Sequence, residues 1–329
     1  MVSNVGSDSI SAFTFDITSG ALTPISGSPF STGTKPTGLA VAPNGKFLYA
    51  TGTMTTNVYA FSVDASGLLS AISGSPFTCG ANPHAVVIDP SGKFLFTANF
   101  NSNDVSAFTI NASTGALTQV AGSPFTAGSS PESATMDPAG KFLFIANSGS
   151  GDVSAFAINA TTGVLTAIAG SPFTSGIGIE SVAMSPSGKF LYAQNYNAGN
   201  FAGFSINATT GVLTALAGSP FTCPSPYGGV VDPSGTHLYI TDIGANEVSI
   251  FALDGTTGVP SEITGSPFAT GSYGPTSLTM DSQGKFLFVL LRSSNNLQVF
   301  PVISSSGALG APLNTYSTGS VPGNVLVMP

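Results

Sequence analysis

Three residues spaced 48 apart carry the most visible chemistry in this sequence: His84, Glu132 and Glu180 (132 − 84 = 48; 180 − 132 = 48). An imidazole, with an ordinary pKa of about 6.5, can take a proton from water near neutral pH. A carboxylate beside it can orient the ring and stabilise its cation. A second carboxylate near the first tends to raise the pKa of one of the pair. Arg292, the sole arginine, adds a fixed positive charge that could hold a carboxylate or a developing oxyanion. Such a set could activate water against a polarised carbonyl. Glu132 and Glu180 alone, with backbone carbonyls, would also suit Ca²⁺.

The spacing reflects an internal repeat of about 48 residues, and that repeat must position these side chains. Gly-Ser-Pro-Phe starts at Gly27, Gly74, Gly122, Gly170, Gly218 and Gly265. A Gly-Lys-Phe-Leu element or close variant starts at Gly45, Gly92, Gly140, Gly188, Gly235 and Gly284. A Val-Ser-Ala-Phe-like element ends at Phe13, Phe61, Phe108, Phe156, Phe204, Phe251 and Phe300. Within one copy, apolar-leaning runs Ser133–Asp137, Lys141–Ala146, Val153–Ile158 and Leu165–Ile168 alternate with turn residues. Pro138-Ala-Gly140 and Asn159-Ala-Thr-Thr-Gly163 are turn signals, and no stretch keeps helical periodicity. Four short strands per repeat, arranged radially, are propeller blades.

The termini point to ring closure. Met1–Asn4 aligns with the end of a second strand, and the stretch from Val321 onward aligns with a first strand. The expectation is all-β: a single domain over residues 1–329, a seven-bladed β-propeller of four-stranded blades, one blade closed by N- and C-terminal strands. The shared blade lacks the Gly-Lys-Phe-Leu element at both ends and should be the weakest.

Composition narrows the function classes. Charged residues make up 7% of the chain and the net charge is −8, so nucleic acid, which needs a basic face, is not expected as a partner. No run of 18 apolar residues exists, hence no membrane span is expected. Low charge and few lysines suggest a secreted or periplasmic bacterial protein, expected to be a monomer. Met1 falls mid-blade, which is compatible with a leader removed upstream. Cys79 and Cys223 hold the same repeat position three blades apart, about 154° around a sevenfold ring and on the order of 20 Å. A disulfide needs Cα atoms within about 7 Å, so two free thiols are expected.

Where copies agree, a residue serves the fold; where one departs, it can serve function. Lys46, Lys93, Lys141, Lys189 and Lys285 recur in one turn, as do Asp89, Asp137, Asp232 and Asp281 before it. Asn111, Asn159 and Asn207 match a glycosylation pattern, but the tight turn explains them. His237 replaces the Phe of Gly-Lys-Phe and reads as structural. Six residues before the turn proline, the copies read Thr37, His84, Glu132, Glu180, Tyr227, Thr276 and Gly323. These should ring one mouth of the channel. The loop after the second strand opens on the same face and reads Val5, Thr53, Phe100, Ser148, Tyr196, Ile243 and Arg292. The mouth is therefore expected to set an acidic side (Glu132, Glu180) against a basic side (Arg292, Lys35), with His84 between them. Phe100, Tyr196 and Tyr227 would wall it.

The run Asp89-Pro-Ser-Gly-Lys-Phe-Leu-Phe-Thr-Ala-Asn99, the following Asn103-Asp-Val-Ser-Ala-Phe108 and the Pro83-His84 pair resemble the lactonase-type seven-bladed propellers. That group comprises 6-phosphogluconolactonases, carboxymuconate-lactonising cyclases and related bacterial YVTN-repeat proteins. The resemblance covers the whole chain. It implies a channel-mouth His, Glu and Arg acting on a lactone or an open-chain acid. His84 matches the Pro-His position, and Glu132 and Arg292 match by location. A phospholactone would favour several cations around its phosphate. Only Lys35 and Arg292 remain here, so a neutral or monoanionic lactone fits better. The expected partner is a small molecule at the mouth, with His84 as general base and no cofactor unless Ca²⁺. The alternative is a non-enzymatic secreted or cell-surface binding or scaffold propeller, favoured by near-identical repeats and few catalytic residue types.

Overall fold

The turn at Asp89-Pro-Ser-Gly92 is stabilised by its own residues. Asp89 is buried, and its carboxylate accepts hydrogen bonds from Phe94 N (2.6 Å) and Ser91 N (3.1 Å). Gly92 takes a φ of +70°, a conformation that costs glycine little. Asp137 and Asp281 make the same bond to Phe142 N and Phe286 N, and in the copy with Ser185 its hydroxyl accepts from Phe190 N. At the second turn, Asn159 Oδ1 accepts from Thr161 N and Thr162 N, both at 3.0 Å. The Asn side chain is used by the backbone there.

Between these turns the chain forms antiparallel strands in sequence order. In the computed structural model, which describes residues 1–328, seven blades result, with no α-helix among the described residues. Their inner strands are Pro36–Val41 (blade 1), Pro83–Ile88 (blade 2), Pro131–Met136 (blade 3), Ile179–Met184 (blade 4), Pro226–Val231 (blade 5), Pro275–Met280 (blade 6) and Pro322–Val325 (blade 7). Among the described residues, no helix is long and apolar enough to cross a membrane.

The ring closes as the termini predict. Pro322–Val325 pairs with Val2–Asn4, which pairs with Ser9–Ser11. Val2–Asn4 has three residues where the second strand of blade 3, Phe142–Asn147, has six. Beyond Ser11 the third strand of blade 7 breaks, and Phe13–Phe15 pairs with Leu22–Pro24 in a separate two-stranded sheet.

One expectation needs refining. The outer edge of blades 1 to 5 is not one strand but two. In blade 3, Leu165–Ala167 pairs with the far half of Asp152–Ile158, and Phe173–Thr174 pairs with its near half. The Gly-Ser-Pro-Phe segment bridges the gap. Its serine hydroxyl, Ser171 Oγ, accepts from Ala155 N at 2.8 Å, satisfying the amide that neither piece reaches. Ser28, Ser75, Ser123, Ser219 and Ser266 repeat that bond.

Adjacent blades lock face to face. The ring of Phe94 in blade 2 lies over Gly163 in the tight turn of blade 3, where an added Cβ would come within 2.5 Å of Phe94 Cδ1. His237 does the same over Gly307, so it takes the packing role of phenylalanine. Three buried tyrosines add a bond across the junction: Tyr49 Oη donates to Gly115 O, Tyr192 Oη to Gly258 O, and Tyr239 Oη to Gly307 O. Blades 2 and 3 carry Phe96 and Phe144 at this position, so the ring fits without the hydroxyl. Tyr192→Phe should therefore fold normally but leave Gly258 O unpaired. The expected loss is about 1–2 kcal/mol in urea unfolding, with an unchanged m value.

Candidate active site

The mouth residues owe their position to a β-bulge. In blade 2, Pro83 stands opposite Asn99 and Ala85 opposite Ala98, which leaves His84 as the extra residue. The register slips identically at Glu132, between Pro131 and Ser133, and at Glu180, between Ile179 and Ser181. Blade 5 slips between Pro226 and Gly229, around Tyr227. A bulged residue leaves the ladder and its side chain is re-aimed. Here the bulge brings the non-repeating side chains to the end of the channel.

They border a cavity of about 660 Å³. All of Thr37, His84, Glu132, Glu180, Tyr227, Thr276 and Gly323 line it, as do Val5, Thr53, Phe100, Ser148 and Arg292. His84 Nδ1 lies 2.8 Å from Glu132 Oε2. Against an ionised carboxylate, which only accepts, Nδ1 is the donor, and a neutral ring then has its lone pair on Nε2. The two side chains are 19% and 20% exposed, sheltered yet open to solvent. Phe100 stacks on the imidazole, with ring centroids 4.6 Å apart and planes 15° apart. These contacts hold the ring from two sides.

Glu180 differs in environment. Burial first, and then the charge of Glu132, push its carboxyl up to about 7. The Tyr227 hydroxyl, His84 and Arg292 oppose that shift only in part. Burial, and next the charge of Glu180, push the Tyr227 phenol up, so it stays protonated. The mouth thus pairs an imidazole–carboxylate couple with a carboxyl that can hold a proton near neutral pH. Arg292 opens the 3₁₀ turn Arg292–Ser294 after the second strand of blade 6, and its N donates to Gly274 O at 2.7 Å.

Two expected wall or binding residues stand apart from the cavity. Lys35 has φ of +48°, and its Nζ lies 2.9 Å from Met54 Sδ on the exposed rim. Thr37 and Thr53 hydroxyls donate to Lys35 O, which fixes the turn so that the lysine is not part of the lining. Tyr196 is exposed and also outside the lining; its ring meets Tyr227 edge-on at 6.0 Å. Arg292 is therefore the one cation bordering the cavity among the described residues.

Cys79 and Cys223 are free and buried, and burial pushes both thiols up to about 12, so neither suits a nucleophile. Among the described residues, no group of three or more His, Cys, Asp or Glu side chains is arranged to hold a metal ion.

The sequence profile of the family described as Lactonase, 7-bladed beta-propeller matches residues 3–327. The chain belongs to this lactonase family. No curated protein is matched by sequence. Among solved structures, a candidate 6-phosphogluconolactonase of Bacteroides uniformis superposes with a TM-score of 0.85 at 21% identity, over 98% of this chain and 96% of that one. The corresponding Bacteroides fragilis protein gives 0.84 at 22% identity, over 98% and 95%. The Pseudomonas aeruginosa periplasmic gluconolactonase PpgL gives 0.85 at 19% identity, over 100% and 98%. At these identities the likeness carries the fold.

On this lactonase-family ring, one arrangement escaped the sequence reading. Thr51 and Thr241, in second strands, hold bulged glycines: Thr51 Oγ1 accepts from Gly38 N (2.9 Å) and Thr241 Oγ1 from Gly228 N (2.8 Å). A signal was present. The copies with Gly38 and Gly228 have threonine where others have Ala98 and Ala146.

The raised Glu180 carboxyl has a consequence for stability. The folded chain keeps this proton at pH values where the unfolded chain has lost it. Glu180 therefore makes stability fall as pH rises from about 4.5 through about 7. Glu180→Gln should raise the melting temperature at pH 8, by about 1–3 kcal/mol of stability, and leave it nearly unchanged at pH 4.5. Calorimetry at the two pH values checks this.

Proposed function

We propose that this protein hydrolyses the ester bond of a small lactone at the polar channel mouth. The observation that carries the reading is the 2.8 Å His84–Glu132 bond inside a cavity that Arg292 and Glu180 also border, in a lactonase-family chain. His84 Nε2 takes a proton from a water that attacks the lactone carbonyl, and Glu132 stabilises the imidazolium that forms. Arg292 stabilises the oxyanion of the tetrahedral intermediate. Protonated Glu180 gives its proton to the alkoxide as the ring opens, and Tyr227 donates to the Glu180 carboxylate that remains. Water adds across the acyl–oxygen bond and a hydroxy acid leaves; the imidazolium proton of His84 then returns to Glu180 through solvent, which restores both groups.

The charge at the mouth supports an uncharged or singly charged substrate. One guanidinium faces two carboxyl groups, and Lys35 lies outside the lining. A phosphate dianion would want further cations. A periplasmic or secreted setting belongs to the same proposal, supported by the low charge and by the periplasmic P. aeruginosa structural neighbour.

Two measurements test this. In a pH-indicator assay on γ- and δ-lactones and sugar lactones, His84→Ala should cut turnover about 10²–10⁴-fold. Its melting temperature should fall by no more than about 4 °C, because the partly exposed imidazole gives up one hydrogen bond and one stacking contact. Full activity in His84→Ala would sink the assignment, and no turnover by wild type would favour a ligand-binding role. In the same assay, an unphosphorylated sugar lactone should outperform its phosphate ester in kcat/KM by about tenfold or more.

A further inference from the structure

We infer that Thr51 is a positioning residue for His84, an inference that rests on the lactonase reading only for its kinetic part. Thr51 is fully buried in the second strand of blade 1, away from the cavity lining. Its Oγ1 accepts from Gly38 N at 2.9 Å and lies 3.1 Å from His84 O, to which it donates. The bond crosses from blade 1 to blade 2 and grips the bulged residue whose side chain performs the proton transfer. Gly38 seats closely against it, since a Cβ there would stand 2.6 Å from His84 O.

The repeats show that this clamp is placed selectively. Ser3 Oγ makes the same pair of bonds, accepting from Asn324 N at 2.9 Å and donating to Thr37 O at 2.7 Å. Thr241 Oγ1 repeats it with Gly228 N at 2.8 Å and, more weakly, Thr276 O at 3.4 Å. The equivalent positions before Glu132 and Glu180 are Ala98 and Ala146, which cannot form it. His84 is thus tied three ways: its carbonyl to blade 1, its Nδ1 to blade 3, and its ring face to Phe100. Without the first tie the bulge carbonyl is free to turn, and the imidazole shifts relative to the attacked carbon. Displacements on the order of 1 Å can cost about 10²-fold in rate.

The experiment compares Thr51→Val, Thr51→Ser and Thr241→Val in the full chain. Thr241→Val removes the chemically equivalent clamp three junctions away from His84 and controls for lost stability. Thr51→Val should lower kcat about 10–100-fold with KM within about twofold, while Thr51→Ser and Thr241→Val stay within about threefold of wild type. Long-range ¹H–¹⁵N spectra of the imidazoles give a readout independent of turnover. The chain has two histidines, so His237 serves as internal reference. The His84 resonances should move in Thr51→Val and not in Thr241→Val. Equal kcat losses in the two valine variants, or His84 signals in Thr51→Val that superimpose on wild type, would overturn the inference. If wild type turns over no lactone, the lactonase reading fails and the imidazole spectra alone decide the clamp.

Discussion

Each blade of this protein is a sheet with two apolar faces, and neither can be left in water. Phe94, Phe142 and Phe190 close one blade against the glycine turn of the next, and Tyr49, Tyr192 and Tyr239 bond across the same junctions. Burying both faces of every blade requires a closed ring, because an open stack would expose two sheets. The last junction is made by pairing Pro322–Val325 with Val2–Asn4. The full complement of packed faces depends on those few backbone bonds.

Closure also creates the mouth cavity. Seven inner strands meet at an axis, and each bulges one residue at the same end. Residues 48 apart in sequence, on three consecutive blades, become neighbours around one cavity. His84 and Glu132 meet at 2.8 Å only because their blades are adjacent and their bulges are in step. A repeat can thus vary one position per blade without disturbing the turns, the aromatic seats or the serine bridges. The mouth is where variation is tolerated, so chemistry can accumulate there.

The site relies on environment more than on many charges. Glu132 and Glu180 hold equivalent places in successive blades, yet one is bonded to an imidazole while the other is buried beside Tyr227 and pushed up to about 7. Two identical side chains thereby sit in different environments at one mouth. A single guanidinium, that of Arg292, borders the same mouth among the described residues. Both properties come from the shape of the ring.

Much of this was legible in the residues. The Asp-Pro-Ser-Gly turns, the Asn-Ala-Thr-Thr-Gly turns and the recurring aromatics determined blade number and closure, because each encodes a local backbone choice or a packing need that recurs every copy. Subtracting the repeat also determined which residues reach the mouth: His84, Glu132, Glu180, Tyr227 and Arg292 all border the cavity. Tertiary structure decided the rest. It split the outer strand, since only the folded edge shows which amide Ser171 must satisfy. It turned Lys35 onto the rim and left Tyr196 outside the lining, because a left-handed turn and a 3₁₀ turn set those directions. It joined His84 to Glu132 and Thr51 to His84, contacts that cross blade junctions and so depend on the distance and register between sheets. Local sequence specifies turns and faces; how two faces meet is set by packing of the closed ring.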